Sequence, residues 1–379
     1  MNRLIRLIIP AAALLSGLYS CSNRSDSCGY DDFDVADTLT HHSSYLTMAD
    51  LGNGTVLVDI ADPWGGNKAL ARYALVHRDS TIPQDLDDSR RIIRTPVSRM
   101  AVCSSVHTGA LLELGALPSV VAVADAAYFP ASDTISSLIS LGKISDIGNS
   151  AALSAEKIAE AGVSALLRSP MQGTTSAAMP QSVVPVEMAD YMETSPIGRA
   201  EWILLLGELA GRRREAQEIF TAVIDRYSSL TFKAAGAQSP KPKVLTEAEQ
   251  LGIWYVPAGK SYAARLLADA GADYPWADSE GTGSLQLSLE KVAEKAIDAD
   301  VWLIRTYGFT PTAAWLKSQN PRYASFRPVA TGTVYGCDSE LKPIFSDMAF
   351  HPDRVLAEYI AIFHPEVMPG YSLRYFSRQ

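Results

Sequence analysis

Cysteine is scarce, with four in 379 residues, too few for the disulfide framework that staples small secreted domains. No basic run exceeds three residues. Lys and Arg number 33 against 42 Asp and Glu, for a net charge of −9, so the electrostatic footprint of a nucleic-acid binder is missing. No apolar stretch is long enough to span a bilayer comfortably. The flanking glycines of a Gly-x-Ser-x-Gly nucleophile elbow are absent around Ser104 and Ser105, which argues against a serine hydrolase. Histidine is rare as well: His41, His42, His77, His107, His351 and His364 are the whole set, with none between His107 and His351. A bare-metal site needs three or four ligands drawn from several loops, and this distribution argues against one.

What is present describes an exported globular chain. With 47% hydrophobic and 20% charged residues, the length accommodates two domains of ordinary size. Residues 1–20 carry Arg3 and Arg6, then a short apolar run and small residues, the pattern of an export signal. "LYSC", Leu18 to Cys21, has the form cut before a cysteine that then receives acyl chains, although Tyr19 is bulky for its slot. Acylation of Cys21 anchors a soluble body to a membrane at ~0.8 kcal/mol per buried methylene. Residues 21–39 are polar and acidic and read as a tether. Residues 40–96 read as a β-rich extension, in which Asn53-Gly54 between alternating apolar runs is a hairpin signal.

From Arg99 onward short β-branched runs alternate with helical segments, the texture of parallel βαβ construction. This gives an α/β fold of two lobes, residues 97–211 and 237–379. Between them residues 212–236 form one helix, with Ala216, Ile219, Phe220, Val223, Ile224 and Tyr227 on one face. The segment from Arg214 to Ala235 is about 33 Å long at 1.5 Å per residue, enough to join the lobes. A weak repeat relates them: "SAEKIAEAGVSALLRSP" from Ser154 and "SLEKVAEKAIDADVWLIRTYG" from Ser288. In each copy a serine caps a helix and a glutamate, Glu156 or Glu290, takes the second helical position, where the macrodipole favours a carboxylate. Each copy also ends its strand in an arginine, Arg168 or Arg305, and α/β sheets hold ligands beyond strand carboxyl ends.

"RMAVCSSVHTGALLELGALPSVVAVAD", together with "AEWILLLGELAGRRREAQEIF", "GKSYAARLLADAGADYPW" and "LSLEKVAEKAIDADVWLI", resembles the periplasmic solute-binding proteins of ABC importers that take iron-siderophore and cobalamin complexes. The resemblance covers about Arg99 to Pro365, and the β-rich preface looks like an elaboration seen in Bacteroidetes versions. It implies two Rossmann-like lobes joined by a single stiff helix, a ligand in the cleft between them, and no chemistry performed on it. It also implies a carboxylate on each lobe meeting the ABC permease, matched here by Glu156 and Glu290. The expected cleft residues are Ser104, Ser105, His107, Tyr128, Arg168, Met171, Tyr191, Trp254, Trp276, Arg305 and Tyr307. No cofactor and no bound metal of the protein's own is implied. The two arginines favour an anionic ferric siderophore, with a corrinoid or haem as the alternative. The expected protein is a periplasmic, lipid-anchored monomer serving a permease and its ATPase.

Overall fold

A computed structural model describes residues 37–66, 69–129, 134–172 and 179–379. The signal segment, Cys21 and nearly all of the tether lie outside the described residues. The account below concerns the unit Asp34–Gln379, in which no described helix is long and apolar enough to cross a membrane.

The chain opens with a five-stranded sheet in the order β1-β2-β3-β4-β5, formed by β1 Asp37–Thr38, β2 Leu46–Asp50, β3 Thr55–Ala61, β4 Ala69–His77 and β5 Arg91–Thr95. It is antiparallel except for the β4–β5 pair. The β2–β3 turn passes through Asn53-Gly54, where Gly54 takes φ +80°, a conformation a side chain would strain. One face of this sheet is not solvated. Met48, Val58, Tyr73 and Ile93 are buried in the same core as Leu205, Leu206 and Leu209.

The amino-terminal lobe has strands β6 Met100–Val102, β7 Val120–Val123, β8 Ser145–Asp146, the short β9 Gly148–Asn149 and β10 Ala152–Leu153, then β11 Ala165–Arg168 and β12 Val184–Glu187. Its central sheet is parallel throughout, in the order β12-β11-β6-β7-β8. Around it lie α1 Ser105–Glu113, α2 Thr134–Ser140, α3 Ala155–Glu160, α4 Pro196–Ala200 and α5 Ile203–Ala210. Strands this short and this apolar fit a sheet covered on both faces.

Helix α6, Arg213–Ala235, runs from this lobe to the next and buries Ala216, Phe220, Val223 and Tyr227 along one stripe. The carboxyl-terminal lobe has β13 Val244–Thr246, β14 Glu249–Gln250, β15 Ile253–Pro257, β16 Ser284–Leu287, β17 Val301–Thr306, β18 Val334–Asp338 and β19 Ser377–Arg378. The order β13-β17-β18-β19 is parallel except at its last pair, and β14-β15-β16 form a separate antiparallel sheet. Its helices are α7 Tyr262–Asp269, α8 Leu289–Ala296, α9 Ala313–Gln319, α10 Arg327–Thr331, α11 Ile344–Phe350 and α12 Pro352–Phe363. Helix α11 adds a second seam between the lobes. Ala349 and Phe350 enter the first core, while Ile344 and Met348 enter the second.

Candidate functional site

Both lobes wall a cavity of about 640 Å³. Helix α1 supplies Ser105, Thr108, Gly109 and Glu113, and the turn after β7 supplies Tyr128 and Phe129. The opposite wall is Tyr307, Lys342, Phe345, Asp347 and His351. Ser104 starts α1 by accepting the Val106 N–H at 3.3 Å. Gly109 lets α1 approach α11, since a Cβ there would lie 3.3 Å from the Ser346 hydroxyl. At the mouth Tyr128 and Tyr307, 62% and 45% exposed, meet edge to face from opposite lobes with centroids 6.0 Å apart.

The back of the cavity is charged. Glu113 reaches His351 Nε2 at 2.5 Å and Arg354 Nη2 at 3.6 Å across the lobe boundary. Burial pushes the Glu113 carboxyl up, but the hydrogen bond and charge of His351, aided by Arg354, outweigh it and leave it below the usual carboxylate range. Asp347 accepts Arg354 Nη1 at 2.9 Å and the Tyr375 hydroxyl at 2.6 Å. Charge on the wall is therefore mixed, with Glu113, Glu340 and Asp347 facing Lys342.

Of the residues expected at the cleft, Ser105, Tyr128 and Tyr307 line the cavity. His107 turns away: it is 1% exposed, with Nε2 2.8 Å from Asp190 Oδ1 and Nδ1 unpartnered. Its bond to Asp190 leaves it poorly placed to serve as base to either serine. Trp254 is fully buried, stacked on Trp302 at 5.5 Å and donating to the Thr246 carbonyl. Trp276 is buried against Tyr274. Both tryptophans thus pack the carboxyl-terminal core instead of a cleft wall, because the second lobe needs large side chains to fill it. Met171 is exposed and Tyr191 donates to the Pro170 carbonyl, and neither lines the cavity.

The arginine expectation also changes. Arg168 ends β11 as read, but its Nε lies 3.0 and 3.1 Å from the two Glu187 oxygens. Arg305 pairs with Glu247 and lies 5.2 Å over the Phe345 ring, one layer behind the cavity wall. Each guanidinium is already neutralised, so the argument for a strongly anionic ligand loses its footing. Glu113, Asp347 and His351 were missed because the partners are distant in sequence; Glu113 and His351 are 238 residues apart. The available signal was "SDMAFHPDR", a histidine before a helix-starting proline beside acidic and basic residues. Among the described residues no three His, Cys, Asp or Glu side chains are grouped to hold a metal ion.

Glu156 and Glu290 sit exposed at the second positions of α3 and α8, behind the capping Ser154 and Ser288. Glu290 accepts Arg322 Nη1 at 2.7 Å, and the Arg322 hydrogen bond draws its carboxyl down to about 2.

A family model described as periplasmic binding protein matches residues 100–341. An uncharacterized lipoprotein of Methanocaldococcus jannaschii is 27% identical over 345 residues, covering 84% of this chain and 80% of its own. Among solved structures, a periplasmic heme binding protein from Pseudomonas aeruginosa aligns with a TM-score of 0.56 at 19% identity, over 74% of this chain and 98% of its own. Helicobacter pylori Ceue with Ni(II) bound aligns with a TM-score of 0.57 at 14% identity, over 74% and 88%. At these identities the two structural likenesses speak to the fold.

Proposed function

Since the chain belongs to the periplasmic binding protein family, we propose that it captures a metal chelate between its lobes and hands it to the permease of an ABC importer. The observation that carries this reading is the cavity itself, walled by both lobes and crossed at its mouth by Tyr128 and Tyr307. Its volume falls in the range of organic-ligand sites, and its walls mix aromatic surface with a few placed polar groups. With Arg168 and Arg305 paired and three carboxylates on the wall, a chelate that offers a flat apolar face suits it better than a polyanion. We therefore place tetrapyrroles, haem or a corrinoid, ahead of ferric siderophores.

The test is native mass spectrometry and absorbance titration with haem, cobalamin and ferric siderophores. Tyr128→Ala and Tyr307→Ala are each expected to weaken the bound chelate by about 1 kcal/mol or more. Unchanged affinity in both variants, or no binding of any chelate by the wild type, would overturn the reading. Cys21 is proposed as the lipid anchor. Metabolic labelling with a fatty acid should mark the wild type and not Cys21→Ala, and equal labelling removes the anchor.

A further inference from the structure

Every described arginine lies within 4.0 Å of a carboxylate except Arg78, Arg91, Arg94, Arg99 and Arg378. Four of these five fall within residues 78–99, in a chain whose net charge is −9. Arg78 and Arg94 donate at 2.7 Å to the carbonyls of Pro96 and Ser80, and Arg99 donates at 3.0 Å to that of Gly162. A carbonyl orients a guanidinium without cancelling its charge. The Arg91 side chain makes no hydrogen bond or ion pair among the described residues.

Three of them, Arg78, Arg91 and Arg94, share a seam. β5 is an edge of the extension sheet and β12 an edge of the amino-terminal lobe's sheet. Two adjoining cavities of about 460 and 430 Å³ run between them and share Ile92 and Val184. Arg78 and Arg94 line the first with Ser98, Ser164 and Ser182, and Arg91 lines the second. Among the described residues neither wall contains a carboxylate, although Arg168 in the second is held by Glu187 behind it, whereas the interlobe cavity has three. The β12 edge does not recruit a strand, because Pro185 lacks an N–H there and the Tyr73 hydroxyl bonds the Pro185 carbonyl and the Glu187 N–H.

We propose that this seam docks on the phosphate groups of an anionic phospholipid bilayer. Guanidinium pairs with phosphate through two parallel bonds, hydroxyls add further partners, and exposed Ile92 gives the interface an apolar contact. The proximity of the bilayer rests on the lipid-anchor reading, since the extension sheet is the first described element after Cys21 in the sequence. The binding test does not depend on that anchor.

The mature chain from residue 22, lacking both the export signal and Cys21, is sedimented with vesicles of phosphatidylglycerol and phosphatidylcholine, and with phosphatidylcholine alone. Binding is expected to the anionic vesicles only and to weaken as salt is raised. Arg91→Glu with Arg94→Glu should lower it at least tenfold, while Arg378→Glu leaves it unchanged. If the double variant fails to fold, Arg91→Ser, which removes no side-chain hydrogen bond or ion pair among the described residues, should lower it about fivefold. Equal binding by the arginine variants overturns the proposal. So does retention of inorganic phosphate without vesicle binding, which indicates a free-anion site, or binding of polyglutamate in place of vesicles, which indicates an acidic protein partner.

Discussion

Glu113 is the last residue of α1, where the carbonyl end of the helix disfavours a carboxylate by roughly 0.3–1 kcal/mol. Its compensation comes from the other lobe, through His351 and Arg354. Because its folded pKa is depressed, the stabilisation is present above the unfolded glutamate value near 4.3 and is lost as pH falls through the folded value. Glu113→Gln is expected to cost about 1 kcal/mol near neutrality, allowing for the partial exposure of the side chain. The difference from wild type in melting temperature should shrink toward pH 3. A gap that stays constant with pH contradicts an ionic clasp. Asp190 is the deeper case. Burial raises its carboxyl, but His107 and Arg199 outweigh it and hold it at about 2. Asp190→Asn, which strands two buried partners, should cost on the order of 3–5 kcal/mol by denaturant melts. Neither cluster was legible in the sequence: periodicity marks His107 as a helix residue near serines but carries no information on which carboxylate, 83 positions away, it meets.

Elements were more legible than contacts. The Ser-x-Glu-Lys repeat announced two capped helices, and Ser154 and Ser288 accept the Lys157 and Lys291 N–H groups. Local chemistry decides such features, so a single sequence displays them. The attachment of the extension is decided otherwise. Glu201 accepts the backbone N–H groups of His41, His42 and Ser43 at 2.7–2.9 Å, and Glu193 takes Ser44 N–H at 2.9 Å and the Trp202 indole at 2.9 Å. Both glutamates are almost wholly buried. They follow an unremarkable loop and helix start, and only the fold brings residues 41–45 to them. Glu201→Ala leaves three N–H groups without acceptors and is expected to cost at least ~3 kcal/mol. The readout is faster proteolytic nicking at residues 41–45 with a lowered melting temperature. Protection equal to wild type would mean that the apolar face of the sheet alone holds it.

On the scale of the whole molecule, α6 and α11 both tie the lobes together, so the ligand-bound and free forms are expected to differ by a limited closure. A permease reading this protein then needs the same two lobe tips in both states, which is the role proposed for Glu156 and Glu290. The two tips are not equivalent. Glu156 forms no ion pair among the described residues, whereas Glu290 is engaged by Arg322 at 2.7 Å. On the proposed docking, a permease surface carrying cationic groups would meet an unpaired carboxylate on one lobe and would have to share or displace Arg322 on the other. Each exposed pair contributes little alone, while reversed charge on both tips opposes the whole docking face. Glu156→Arg with Glu290→Arg is therefore expected to keep wild-type ligand affinity, with only a small drop in melting temperature from the lost helix-start carboxylates and the Glu290–Arg322 pair, but to fail in uptake and in stimulating the importer's ATPase in reconstituted vesicles. Arg322→Ala, which frees Glu290, should move in the opposite direction and lower the concentration needed for half-maximal stimulation. Normal transport by the double variant sinks the docking assignment, and impaired ligand binding moves both glutamates into the support of the fold.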